Sequence, residues 1–228
     1  MNILENNSPV CRFYKHQWEQ FRKKFFGVFV FSAFLFILTA VLAYIYFLYH
    51  PEQAQSAFAK LAESLRRRIP DGLQGFDKAF SIFINNSWVS FLSWFLGLVP
   101  LLFLPVFTII SNGAAMGIVS AVSTTQGINP FMVFISIAPH GLLELPAVLY
   151  AASLGIYLSR EIFKHLFLSE SSKKPLFSPE HIREPFIPLV KKVFITFMSV
   201  IFPLLLLAAL IESFITPALI NLFKTGLP

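Results

Sequence analysis

From Phe25 to Tyr49 the chain runs without one charged residue. A bilayer core about 30 Å thick needs about 20 apolar residues of helix to cross it. Hydrocarbon offers the backbone no hydrogen-bond partners, so a lone apolar segment of this kind can only be a helix. The run is too long for a signal-peptide core and no small-residue cleavage site follows it, so it reads as a retained first span. Further apolar stretches follow at 85–122, 131–158 and 193–219. The first of these is divided near Pro100 to Pro105, because proline interrupts the helical ladder. The total is about five spans, and the fold class is an all-α membrane protein. Composition agrees: 13% of residues are charged, against about a quarter in soluble domains. The 28 phenylalanines exceed what a soluble core needs, and no second, soluble domain is expected.

Between the spans the sequence is polar and organised. Residues 1–24 carry Arg12, Lys15, Arg22, Lys23 and Lys24, with Val10, Tyr14, Trp18 and Phe21 interleaved at helical spacing. That pattern predicts an interfacial helix on the cytoplasmic surface. Residues 50–80 form an amphipathic loop. Phe58, Leu61, Leu65 and Ile69 mark one face of a helix, and Lys60, Glu63, Arg66 and Arg67 the other. Pro70-Asp71-Gly72 is a turn, and a short helix from Leu73 to Ile84 is expected to lead back to the membrane. The polar bend Ser123 to Pro130 separates the third span from the fourth. Residues 159–192 hold seven Lys/Arg, which places them in the cytoplasm by the positive-inside rule. Four spans after a cytoplasmic N-terminus lead to the same side. The localisation expected is therefore a multi-pass protein of the cell membrane with its N-terminus inside. The net charge of +6 follows from these flanking segments and does not point to nucleic acid. Cys11, the one cysteine, cannot form an intrachain disulfide. It reads as an unreactive thiol, with lipidation the alternative.

Within the apolar stretches a few polar residues stand out: Asn85, Asn86, Asn112, His140, Glu144 and Glu212. Such residues are costly at membrane depth and tend to be functional or to pair with one another. His140 and Glu144 are four apart and share one face of a helix. Pro139, Gly141 and Pro146 surround them, so broken or re-entrant half-helices are expected around 139–146 and around 100–113. Three readings of the six residues stay open. They could be structural, joining helices by hydrogen bonds. They could bind a ligand, lipid head group, ion or proton. Or they could serve a metal-dependent intramembrane hydrolase. Metal sites need three or more good ligands, and His140 with Glu144 supply two. There is no HExxH, and His165 and His181 lie in the polar loop. No GxSxG or phosphate-binding glycine loop is present, and Ser153 and Ser159 have no base at a matching position. No cofactor is expected, and an enzymatic role is not the leading expectation.

Four blocks carry a resemblance. They are FINNSWVSFLSWFLGLVP at 83–100, ISNGAAMG at 110–117, APHGLLELPA at 138–147 and ALIESFITP at 209–217. Together, over about residues 80–220, the chain resembles the stage II sporulation protein M family. The resemblance implies a multi-pass helical protein whose polar positions fall on Asn85 or Asn86, Asn112, His140, Glu144 and Glu212. In spore formers such proteins anchor peptidoglycan-degrading partners during engulfment. The function it implies is a membrane scaffold or assembly component of a cell-envelope complex. The partners it implies are the lipid bilayer and cell-envelope enzymes or other membrane proteins, with oligomerisation open. The alternative is a transporter-like or metal-dependent hydrolytic protein working through the Asn/His/Glu cluster.

Overall fold

The structure is a computed structural model, and it describes residues 8–99, 101, 103–167 and 186–217. Helix α1 (Pro9–Gln20) starts at Ser8, whose side chain accepts a hydrogen bond from the Cys11 N–H at 3.1 Å. Proline at its first position needs no donor there. A wider π turn, Phe21–Phe25, joins α1 to α2 (Phe26–Tyr49). The expected surface helix and first span are therefore one helical run of 41 residues, about 60 Å at 1.5 Å per residue. Buried polar groups hold its first part in place. Gln17 is 6% exposed, and its Oε1 accepts from Thr196 Oγ1 at 2.9 Å.

His50 stacks on Tyr46, and Pro51 begins α3 (Pro51–Arg68). As the amphipathic pattern predicts, α3 keeps its charged face in solvent, with the ion pairs Glu63–Arg67 (2.5 Å) and Arg66–Asp71 (3.1 Å). After the turn, α4 runs unbroken over Gly75–Phe95. The short helix expected to end at Ile84 is instead the first half of the second span. A tight turn at Leu96–Leu98 precedes α5 (Phe103–Thr125), so the interruption falls at the expected division. Pro105 lies in the first turn of α5, where a missing N–H costs nothing. Gly127 ends the pair with a φ of 82°, the left-handed conformation that glycine tolerates without penalty.

Helix α6 (Pro130–Phe167) corrects a second expectation. Its 38 residues stay helical through Pro139, Gly141 and Pro146, and α5 likewise is unbroken through residue 113. Among the described residues no half-helix forms at either place. Membrane helices tolerate such residues because packed neighbours re-satisfy the freed backbone groups. The last run comprises α7 (Phe186–Thr196), a π turn at Phe197–Ile201, α8 (Phe202–Leu210) and a second π turn at Ile211–Ile215. Pro203 deprives the Ser199 carbonyl of its regular i→i−4 donor. The Tyr14 hydroxyl donates to that carbonyl at 3.2 Å, so α1 caps a gap that a proline opens in the last helix.

Among the described residues, five helical stretches are long and apolar enough to cross a membrane. The fourth, in α6, is 61% buried and the first only 17%, so α6 is the axis and α2 lies at the edge. One core joins Tyr150, Leu154 and Leu158 of α6 to Phe25, Phe197 and Leu205; a second joins Leu149 and Ala152 to Phe36 and Ile109. Glycine allows the closest approaches, the device that brings membrane helices together in hydrocarbon. A Cβ on Gly113 would lie 2.7 Å from the Phe36 carbonyl oxygen, and one on Gly117 would collide with the Ala40 carbonyl. Gly97 and Gly155 meet backbone to backbone in the same way. Among the described residues, Lys24, Arg160, Lys164 and Lys192 gather at one end of the bundle. There the Phe25 and Tyr157 rings lie 5.0 Å apart, with Lys192 over the first and Arg160 over the second.

Candidate functional site

Helices α5 and α6 do not close on one another along their whole length. A cavity of about 480 Å³ opens between them, floored by Phe36 of α2. Thr108 to Val119 of α5 and Gly141 to Ala152 of α6 line it. Small side chains on facing positions, Ala115 and Ala152 with Gly141, leave the space. Each wall spans 11 helical steps, so the cavity is about 16 Å long.

Two of the six expected site residues, Asn112 and Glu144, line this cavity. Asn112 Nδ2 donates to the Thr108 carbonyl at 2.7 Å, which leaves its side-chain oxygen as an acceptor. Thr108 Oγ1 donates to the Pro105 carbonyl at 2.7 Å and lies 3.1 Å from Ser93 Oγ. These bonds pin the start of α5 to α4. Among the described residues, no hydrogen bond to the Glu144 carboxyl group occurs. Glu212, on the second π turn of the last run, lies within electrostatic reach of it. His140 is one helical turn before Glu144 on the unbroken α6, and its side chain lies outside the described residues. The other two sit elsewhere. Asn85 Nδ2 donates to Asn86 Oδ1 at 3.0 Å, and Asn85 lines a separate groove of about 290 Å³ beside Arg68 and Trp88. Among the described residues no three His, Cys, Asp or Glu side chains come together as metal ligands would.

Other polar residues line the helix contacts without standing out as isolated polar positions in the sequence. Ser87 Oγ, Ser90 Oγ and Trp94 Nε1 on α4, and Ser213 Oγ beside Glu212, are buried with no hydrogen-bond partner among the described residues. Ser153 Oγ lies 3.1 Å from Ser32 Oγ in the buried seam between α6 and α2. The spacing Ser87, Ser90, Ser93 was a legible sign of a polar helix face, and Gly113-Ala-Ala-Met-Gly117 of a close helix contact. The site as built can take a hydrogen-bond donor or a cation at Glu144, a donor at the Asn112 oxygen, and apolar chain along the rest.

Helices of this length and hydropathy, packed through glycine and serine around a central α6, define a multi-helix membrane protein. The family model for Stage II sporulation protein M matches residues 32–217, and the chain belongs to that family. The match begins inside the first span and takes in α3, so it covers more of the chain than the four sequence blocks. No curated protein and no solved structure matches the chain.

Proposed function

We propose that this protein is a membrane scaffold that recruits and holds enzymes of a cell-envelope, peptidoglycan-remodelling complex. The observation that carries this reading is α3. It follows the end of α2 opposite Phe25 and Lys192, braced against the membrane helices, with its charged face in solvent. With the basic end in the cytoplasm, α3 faces the compartment where peptidoglycan is remodelled. Family membership supports the same reading. The test is photocrosslinking from Glu63 and Arg67 positions in cells. Capture of an envelope enzyme is expected, and capture of nothing but lipid would sink the proposal. Orientation is checked with an impermeant maleimide in intact cells. The exposed native Cys11 should stay unlabelled, and a Ser56→Cys, Cys11→Ser protein should label. The reverse pattern would put α3 on the wrong side for this role.

One observation favours a second reading, a transporter-like or hydrolytic protein working at Glu144. It is the presence of Glu144 and Asn112 on the walls of one cavity. A well-folded Glu144→Gln protein that keeps its partners but loses function in cells would decide for that reading.

A further inference from the structure

The basic end of the bundle contains a feature that charge distribution alone does not require. The Phe25 ring is fully buried. It packs edge-on against Tyr157 (5.0 Å) and Tyr150 (5.9 Å). Lys192 Nζ sits over this ring, 5.6 Å from its centre, and is half-buried. The charged group acting on it is another ammonium, the exposed Lys24 next to Phe25 in the chain. Arg160 caps Tyr157 at 5.5 Å. Here the basic groups divide. Arg160 and Lys164 both pair with Glu161 at 3.1 Å. Among the described residues, Lys24 and Lys192 have no carboxylate within ion-pair distance. Two neighbouring ammonium groups, one of them over the ring, repel one another, and an anion between them would turn that repulsion into two charge-assisted hydrogen bonds.

We propose that Lys192, over the Phe25 ring, and its neighbour Lys24 form a site for the phosphate group of an anionic phospholipid. Depth and surroundings argue for a lipid phosphate over a free one. The two lysines stand where the apolar runs of the first and last spans begin, at the level of the head groups. Phe26 and Phe194 beside them are 51% and 44% exposed, surface that acyl chains cover and a dissolved ion does not. The site is separate from the cavity at Glu144 and does not rest on the scaffold reading.

The experiment uses the full chain, purified in detergent and read by native mass spectrometry. The probes are phosphatidylglycerol, phosphatidylcholine and inorganic phosphate. Wild type should retain phosphatidylglycerol in preference to phosphatidylcholine, and millimolar inorganic phosphate should not displace it. Lys192→Met and Lys24→Met keep the alkyl stems and remove the charge. Each should weaken phosphatidylglycerol retention about fivefold, the worth of one well-placed cation near an anionic surface. Lys23→Met and Lys191→Met, both at exposed neighbouring positions, should change it by less than about twofold, because their charges act only diffusely. Lys192→Arg should hold the lipid as wild type does, and it carries the test if Lys192→Met fails to fold. Equal losses for all four methionine variants would mean a diffuse basic surface and overturn the site. So would equal retention of both lipids, or displacement of the lipid by inorganic phosphate.

Discussion

Helix α5 meets α2 on one side and α6 on the other, and the two contacts are opposites. Toward α2 it presents Gly113 and Gly117, and backbone lies on backbone with no room for a Cβ. Toward α6 it presents Asn112, Ala115, Met116 and Val119, and a cavity of about 480 Å³ remains. Neighbouring residues of one helix thus make a closed seam and an open one. Apolar character is common to both and cannot be the cause. What differs is where the side chains end. Glycine at four-residue spacing removes the spacer between helices over two turns. On the other face the small side chains of Ala115 and Ala152 do not fill the gap. The closed seam is architecture, and the open one is where another molecule can enter.

The largest effect is expected where the seam is closed. Gly117→Leu should destabilise the protein by about 3 kcal/mol, the upper end of overpacking, because the Ala40 carbonyl occupies the space the side chain needs. Thermal unfolding in nanodiscs measures it. A melting point equal to wild type would mean the α2–α5 contact is looser than described. A contact closed by hydrogen bonds rather than small residues should be intermediate. Tyr14→Phe removes the donor to the Ser199 carbonyl and should cost about 1 kcal/mol. Combined with Pro203→Ala, which restores a backbone donor, the loss should shrink. Strict additivity in that cycle would mean that Tyr14 does not compensate for the proline.

On the open side the same kind of substitution should have the reverse sign. Ala115→Leu points into the cavity and is expected to be neutral or stabilising by about 0.5 kcal/mol, as cavity filling often is. If it destabilises as Gly117→Leu does, the two faces of α5 are not different. The smallest effect on folding belongs to Glu144→Gln, which keeps shape and most hydrogen-bonding capacity. It should change stability by less than about 0.5 kcal/mol and leave partner recruitment intact. Glu144→Leu should be worse in recruitment, because it removes the polar group from the cavity wall. Co-purification of partners with each variant is the measurement. Equal recruitment by both would remove Glu144 from the scaffold's contacts.

Much of the fold could be read along the chain. Hydropathy marked five spans, and the prolines near residue 100 marked the division of α4 from α5. The basic residues of 1–24 and 159–192 indicated which helix ends lie together, and the APHGLLELPA block pointed to the family. These are local properties, fixed by the cost of charge and of unpaired backbone in hydrocarbon. The reading went wrong where a local signal had to compete with packing. Pro139, Gly141 and Pro146 read as breaks, yet α6 continues, because neighbours on several sides make its helical path the best-packed one. Val10, Tyr14 and Trp18 are exposed, as on a surface helix, and only the structure adds that Gln17 ties α1 to Thr196 of the last helix.

The candidate site divides along the same line. Which residues are polar at membrane depth was determined by sequence alone. That Asn112 and Glu144 share a cavity, while Asn85 and Asn86 pair with one another beside Arg68, was decided only in the tertiary structure. Spacing within one helix fixes which side chains share a face. Which faces then meet, and how closely, depends on where glycine and serine let two backbones touch, and that is a property of pairs of helices that no single segment carries.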